Sequence, residues 1–198
     1  AVQCHQNNNL QDAQNYYQEV LKIDPNFADA HNNLGNIFKE LKDYQKAKNC
    51  YEKAIAIDPN YADAHYNFGI LLKEFGENHK AKKCFEKVIE INPNYANAHN
   101  NLGNIFKELK DFQKAKSCYE KAIEINPNVA EAHNNLGIIF RELGENQKAK
   151  KFFEKAIEIN PNVADVHNNL GDIFKELGED EKAKECFEKA IEINPNHP

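Results

Sequence analysis

Six prolines, Pro25, Pro59, Pro93, Pro127, Pro161 and Pro195, stand 34 residues apart along the chain. A period of that length points to a tandem array of small units. None of them can bury its own apolar faces, so the fold depends on how neighbours stack. The segment His-x-Asn-(Leu/Phe)-Gly recurs in step at His31, His65, His99, His133 and His167. With Ala28 as the first place of a unit, five complete units follow: 28–61, 62–95, 96–129, 130–163 and 164–197. Residues 1–27 form a partial unit that supplies mainly a second helix.

Each unit reads as two helices. In 96–129, Ala98, Leu102, Ile105, Phe106 and Leu109 recur at helical spacing, as do Ala115, Cys118, Tyr119, Ala122, Ile123 and Ile125. Between the two sets, Lys110-Asp111 or its counterpart Gly144-Glu145 interrupts the pattern. Gly76, Gly144 and Gly178 suit the residue after a helix C-cap, where φ is positive, and the acidic residue that follows can cap the second helix. Pro then ends the unit because it lacks an N–H and restrains the residue before it.

Glycine inside a helix costs about 1 kcal/mol relative to alanine. The recurrence of Gly35 and Gly103 in first helices, opposite Ala47 and Ala115 in second ones, therefore calls for close backbone approach. Tyr51, Phe85, Tyr119, Phe153 and Phe187 fill the space beside that contact. A longer rhythm is also present. Units 28–61 and 96–129 differ at six places, whereas 28–61 and 62–95 differ at fifteen, as expected if a two-unit block was duplicated. Asn36, Ile70, Asn104 and Ile138 alternate in the same rhythm, which suggests alternating polar and apolar patches on a binding surface.

Composition excludes several functions. The chain has one serine, Ser117, in a lysine-rich helix with no glycine elbow, and no threonine, so a hydroxyl nucleophile has one poor candidate. No phosphate-binding loop or dinucleotide fingerprint is present. The net charge of −6 argues against nucleic acid or an anionic membrane as partner. No apolar run is long enough to span a bilayer, and residues 1–10 carry no signal-peptide pattern. The absence of an initiator Met suggests a longer parent. These features imply a protein that is not an enzyme and needs no cofactor.

The run Leu-Gly-x-x-Phe, followed at fixed spacing by Ala, Tyr/Phe, Ala and Pro, resembles the tetratricopeptide repeat (TPR) over the whole chain. One departure is His where the family usually carries Trp or Tyr early in the first helix, which weakens packing there. The resemblance implies an all-α fold, an α-solenoid of tandem 34-residue helix-turn-helix TPR units forming a right-handed superhelix. It also implies that first helices line a concave groove in which an extended segment of a partner protein binds. The second, fifth, sixth, ninth, twelfth and thirteenth places of each unit would face inward.

The sixth place is Asn in every complete unit: Asn33, Asn67, Asn101, Asn135 and Asn169. A carboxamide has one acceptor and two donors, so it can pair with the C=O and N–H of a peptide together. With helices about 8–10 Å apart and a strand rise of about 3.3 Å, one such residue would meet roughly every third residue of a peptide. The run Ala-Asp-Ala-His-x-Asn-(Leu/Phe)-Gly resembles the repeats of O-linked N-acetylglucosamine transferases. In that family asparagines grip the target backbone and aspartates one turn earlier select side chains. The matching residues here are Asp29, Asp63, Glu131 and Asp165, with Asn97 breaking the row; Asn36, Asn104 and Tyr66 complete the expected surface. These acidic residues favour a basic or hydroxyl-rich segment. The same places lack the Lys and Arg that the family uses to clamp acidic chaperone tails.

Five His at 34-residue spacing invite a metal site, but neighbouring units hold them about 8–10 Å apart, too far to share a zinc bound at about 2 Å. Cys50, Cys84, Cys118 and Cys186 share one place, filled by Phe152 in the fourth complete unit. They read as reduced, semi-apolar thiols of a cytoplasmic protein, with Cys4 the odd fifth. Lys114, Lys116 and Lys121 are interleaved with Glu120 and Glu124, the pattern of a solvated outer face. The leading expectation is a scaffold that binds a partner peptide. Two readings compete with it: a substrate-recruiting fragment of a larger glycosyltransferase, and a structural protein that associates end to end through the uncovered Phe187, Ile191 and Ile193.

Overall fold

The computed structural model describes residues 10–195; residues 1–9, Cys4 among them, and 196–198 lie outside it. The described residues form helices and turns with no strand. The chain divides into two compact units, Ala1–Pro93 and Asn94–Pro198. The first holds α1 (Leu10–Ile23), α2 (Ala28–Glu40), α3 (Tyr44–Ile57), α4 (Ala62–Glu74) and α5 (Asn78–Ile91). The second holds α6 (Ala96–Glu108), α7 (Phe112–Ile125), α8 (Ala130–Glu142), α9 (Asn146–Ile159), α10 (Ala164–Glu176) and α11 (Asp180–Ile193).

Within the first unit α2 packs on α3 and α4 on α5, while α3 meets α4, and α1 covers α2. The second unit repeats this as the hairpins α6–α7, α8–α9 and α10–α11, each packed against the next. Each unit is thus an all-α stack of two-helix hairpins, in which apolar surface left by one hairpin is covered by the next. Ala47, Tyr51 and Ala54 on α3 are completely buried, as are Ala115, Tyr119 and Ala122 on α7. Each large side chain so buried contributes about 1.5–3 kcal/mol.

All five hairpin turns use one device. The N–H of the residue at positive φ donates two places back from the C-cap, and the next N–H donates three places back. Lys42 reaches Lys39 O at 3.0 Å and Asp43 reaches Phe38 O at 2.8 Å; Gly76 and Glu77 reach Lys73 O and Leu72 O, both at 2.9 Å. These are Schellman closures, which satisfy carbonyls the helix leaves open. Gly76, Gly144 and Gly178 meet the requirement at φ near 72°, but Lys42 and Lys110 adopt φ 60° and 59° without the help of a glycine. Asp43 and Asp111 then cap the second helix by accepting from the N–H of Lys46 (3.3 Å) and Lys114 (3.2 Å). Glu77, Glu145 and Glu179 at the same place make no cap bond and pair with a lysine three residues on. One methylene more places the carboxylate beyond the helix N–H.

The turns between hairpins have a second signal. Asn26, Asn60, Asn128 and Asn162 each donate a backbone N–H to the side chain of the Asp or Asn just before the proline, at 2.9–3.2 Å. This Asx-turn aims the chain into the next helix.

Candidate functional site

The first helices carry the residues expected to meet a ligand, and neighbouring helices tie many of them together. In the first unit Asn67 on α4 donates Nδ2 to Oδ1 of Asn32 on α2 at 3.0 Å. In the second, Asn169 donates to Asn134 at 3.1 Å, and Asn135 donates to Asn100 at 3.3 Å and Asn104 at 2.9 Å. The sixth-place amide of one hairpin is thus anchored on the fifth-place residue of the hairpin before it. Asn101 differs: its amide turns back to the Asn97 carbonyl on its own helix at 3.0 Å.

These rungs divide the asparagines. Asn135 also accepts from Lys107 Nζ at 3.1 Å and is only 5% exposed, so little of its hydrogen-bonding capacity faces outward. Asn101 is likewise buried. Asn33, Asn67 and Asn169 are half-buried, and the rungs on Asn67 and Asn169 fix the amide plane while using one of the two Nδ2 hydrogens. The Asn33 side chain makes no hydrogen bond among the described residues.

The acidic residues one turn earlier, Asp29, Asp63, Glu131 and Asp165, are all exposed. Glu131 accepts from Asn104 Nδ2 at 3.1 Å, and Asp29 lies against the Tyr61 hydroxyl. Burial, then the Asp29 carboxylate, raises the Tyr61 phenol above its usual value. Asn36 and Asn104 face the second helix: each accepts the hydroxyl of a buried tyrosine, Tyr51 or Tyr119, at 2.8 Å. Tyr66 is half-buried, its ring 5.9 Å from that of Phe85.

Sequence reasoning placed the twelfth position among those facing inward but assigned it no contact, although its period was visible as Lys39, Lys73, Lys107, Arg141 and Lys175, each followed by Glu. Lys39 pairs with Glu74 at 2.8 Å, Lys107 meets Asn135, and Arg141 Nη1 meets Asp172 at 3.1 Å. The face that carries the asparagines therefore bears cations as well as carboxylates. In the first unit a cavity of about 340 Å³ opens there, lined by Asn36, Lys39, Glu40 and Asn67.

The histidines serve the fold. Nε2 of His31, His65, His133 and His167 sits 2.9–3.0 Å from the carbonyl of the proline six residues before it. A carbonyl only accepts, so Nε2 is assigned the hydrogen. The departure from Trp or Tyr thus supplies, at these four positions, a hydrogen bond that pins the first helix to the preceding turn. No group of three or more His, Cys, Asp or Glu able to hold a metal occurs among the described residues. Cys50, Cys84, Cys118 and Cys186 are free thiols. Lys114, Lys116 and Lys121 each lie against a carboxylate at 2.8–3.8 Å. Among the described residues no helix is long and apolar enough to cross a membrane.

Models of the tetratricopeptide repeat match residues 28–61, 50–83, 96–162 and 129–196, and a TPR repeat model matches 3–42 and 71–110. The chain belongs to the tetratricopeptide repeat family. Proteins of this family generally mediate protein–protein interaction and are typically non-catalytic scaffolds. No curated protein matched the sequence significantly. Similar solved structures include YrrB, described as a TPR protein with an unusual peptide-binding site. It is 26% identical, with 91% of this chain and 93% of that one covered and a TM-score of 0.71. MamA is 25% identical over 82% of this chain and 95% of its own, at 0.70. Cut9–Hcn1 of the APC/C shares the fold at a TM-score of 0.84 and 18% identity, with 96% of this TPR chain and 38% of that one covered.

Proposed function

We propose that this TPR protein is a scaffold that holds an extended segment of a partner protein by its backbone, on the asparagine-bearing face of its first helices. The observation that carries this reading is the first unit's cavity at Asn36, Lys39, Glu40 and Asn67, into which an oriented carboxamide is already built. The rung to Asn32 holds the Asn67 amide before any ligand arrives, so less side-chain freedom is lost on binding. Asn33 beside it offers a second amide, and Asn169 is the counterpart in the second unit. Exposed Asp29 and Asp63 favour basic or hydroxyl groups on the segment, while Lys39 is held against Glu74 at the edge of the cavity. A peptide-binding site in the similar YrrB supports the same use of the fold.

The test uses peptides selected from a displayed random library on the wild-type protein. Binding should fall about tenfold or more on an Asn33→Ala/Asn67→Ala variant, the loss expected when well-placed contacts go. Equal binding by that variant and by Asn169→Ala would overturn the reading. Melting temperatures report the small structural effect of losing the rungs.

A further inference from the structure

A second surface in the first unit lies away from the asparagines, where the turns α2–α3 and α4–α5 stack. A cavity of about 600 Å³ opens there, within the range of sites that hold small ligands or single anchoring side chains. Its floor is Leu71 and Leu72, 2% and 3% exposed; its sides are Leu41, Tyr44 and Phe75, which remain 46%, 36% and 55% exposed. Tyr44 and Phe75 meet edge to face, ring centroids 5.0 Å apart, and both remain exposed. Large apolar groups so exposed, next to a depression that reaches the core, mark an interaction site.

The charges around the cavity select the occupant. Two carboxylates line it, and both are already engaged: Asp43 by Lys46 at 2.6 Å, and Glu77 by Lys80. Two ammonium groups line it as well: Lys42, which forms no ion pair among the described residues, and Lys48, which makes none either but lies near enough to Glu77 to help lower its carboxyl. Lys42 is held there by the positive-φ turn that closes the hairpin. The chain is acidic overall, but at physiological salt charges beyond about 8 Å are largely screened, so the local pair of lysines decides. The two corresponding corners of the second unit show what is special here: one has Phe112 in place of Tyr44 and Leu143 in place of Phe75. In the other, Asn146 stands in place of Tyr44 and Leu177 in place of Phe75, and Asn146 Nδ2 is tied to Glu176 at 2.7 Å. Neither corner has an aromatic pair.

We propose that the Tyr44–Phe75 cavity docks an acidic peptide segment of a partner protein through one aromatic side chain. The ring adds to the edge-to-face pair above Leu71 and Leu72, and flanking carboxylates pair with Lys42 and Lys48. This site is independent of the asparagine face: it uses turn residues, and a partner can engage either alone.

The probe is a fluorescein-labelled peptide of Asp and Glu around one central Trp, followed by anisotropy. Control peptides replace the Trp by Ala, or the acidic residues by Lys. Saturable binding of the acidic Trp peptide is expected. It should weaken about tenfold in Phe75→Ala and in Lys42→Glu/Lys48→Glu, as for loss of an anchor, and stay unchanged in Asn33→Ala/Asn67→Ala. All these side chains are exposed or half-buried, and a cooperative melting transition retained in each variant shows that it folds. Absence of saturable binding overturns the proposal. So does equal binding of the Ala or Lys peptide, or binding indifferent to Phe75→Ala. Weakening by the asparagine changes alone assigns the peptide to the other face and overturns it too.

Discussion

Tyr51, completely buried on α3, donates its hydroxyl to Asn36 Oδ1 on α2 at 2.8 Å. Tyr119 and Asn104 repeat the pair at the same distance. Where the second helix carries Phe85 or Phe153 instead, the facing residue is Ile70 or Ile138. The two-unit rhythm is therefore a matched choice of polar or apolar partner across one hairpin. In the last hairpin Phe187 faces Asp172, which pairs with Arg141 instead. Asn36→Ile alone strands a buried hydroxyl and should destabilise by about 1–3 kcal/mol. Adding Tyr51→Phe should recover most of that loss, because it recreates the Ile70–Phe85 pair. Urea unfolding of the two single variants and the double closes the cycle; additive losses would disprove the pairing.

The glycine next to that contact is held by the ring itself. A Cβ on Gly103 would stand 2.6 Å from Tyr119 Cε1, and neither ring nor backbone has room to move in a packed hairpin. Gly103→Ala should cost about 1–3 kcal/mol from overpacking, despite alanine's better helix propensity. Gly178→Ala meets no atom within 4 Å, but its φ of 74° makes it unfavourable for a different reason. A Gly103→Ala/Tyr119→Ala double variant that regains helix stability at the glycine would separate the two causes by denaturant titration.

The fold was legible because its period is carried by residues with narrow roles: Pro ends a unit, and Gly admits a ring. The candidate face was less so. The sixth-place asparagines were visible, but not that Asn67, Asn135 and Asn169 spend a donor on the neighbouring hairpin, since that depends on which residue stacking brings 31–35 places away. Asn36 and Asn104 were read as surface because their own helix alone does not reveal the tyrosine opposite. The histidine departure looked like weakened packing, and only the carbonyl six residues earlier shows what replaces it. Lys42 and Lys110 concealed positive-φ turns that the glycines of other units disclosed.

That last pair yields a stabilising change. An L-residue in the left-handed region costs about 1–2 kcal/mol, which glycine avoids, although glycine orders at greater entropic cost. Lys110→Gly should therefore raise stability by about 0.5–1 kcal/mol, as Gly144 and Gly178 at φ 71° and 74° already fit the same closure. Thermal melting of the variant checks it; a lower melting temperature would show that Lys110 makes a contribution the turn geometry does not reveal.

The thiols should differ from ordinary cysteine. Burial pushes Cys50 and Cys84 up to about 11 and raises Cys186 as well. Reaction requires the thiolate, so at about pH 8 Cys50 and Cys84 should alkylate far more slowly than a free cysteine peptide. In denaturant both should react at the peptide's rate. Peptide mapping by mass spectrometry after brief iodoacetamide treatment reads each site, and rapid native labelling of Cys50 would contradict its burial.

Acid should weaken the hairpin turns from a specific pair of aspartates. Lys46 and Lys114 hold the Asp43 and Asp111 carboxyls below their ordinary value of 3.8, chiefly through their side-chain contacts. A carboxyl whose value is lower in the folded chain stabilises it above the unfolded value, and that contribution disappears as pH falls through the folded one. The melting temperature should thus be insensitive to these groups between about pH 7 and 5, and fall from about pH 4 downward. An asparagine at either place would still accept the cap hydrogen bond but would not titrate. The Asp43→Asn/Asp111→Asn variant should therefore start lower at neutral pH and lose less on acidification. If its acid limb overlays that of the wild type, the acid sensitivity lies elsewhere, with Glu77 and Glu179 the next groups to replace, since Lys80 and Lys182 lower those carboxyls in the same way.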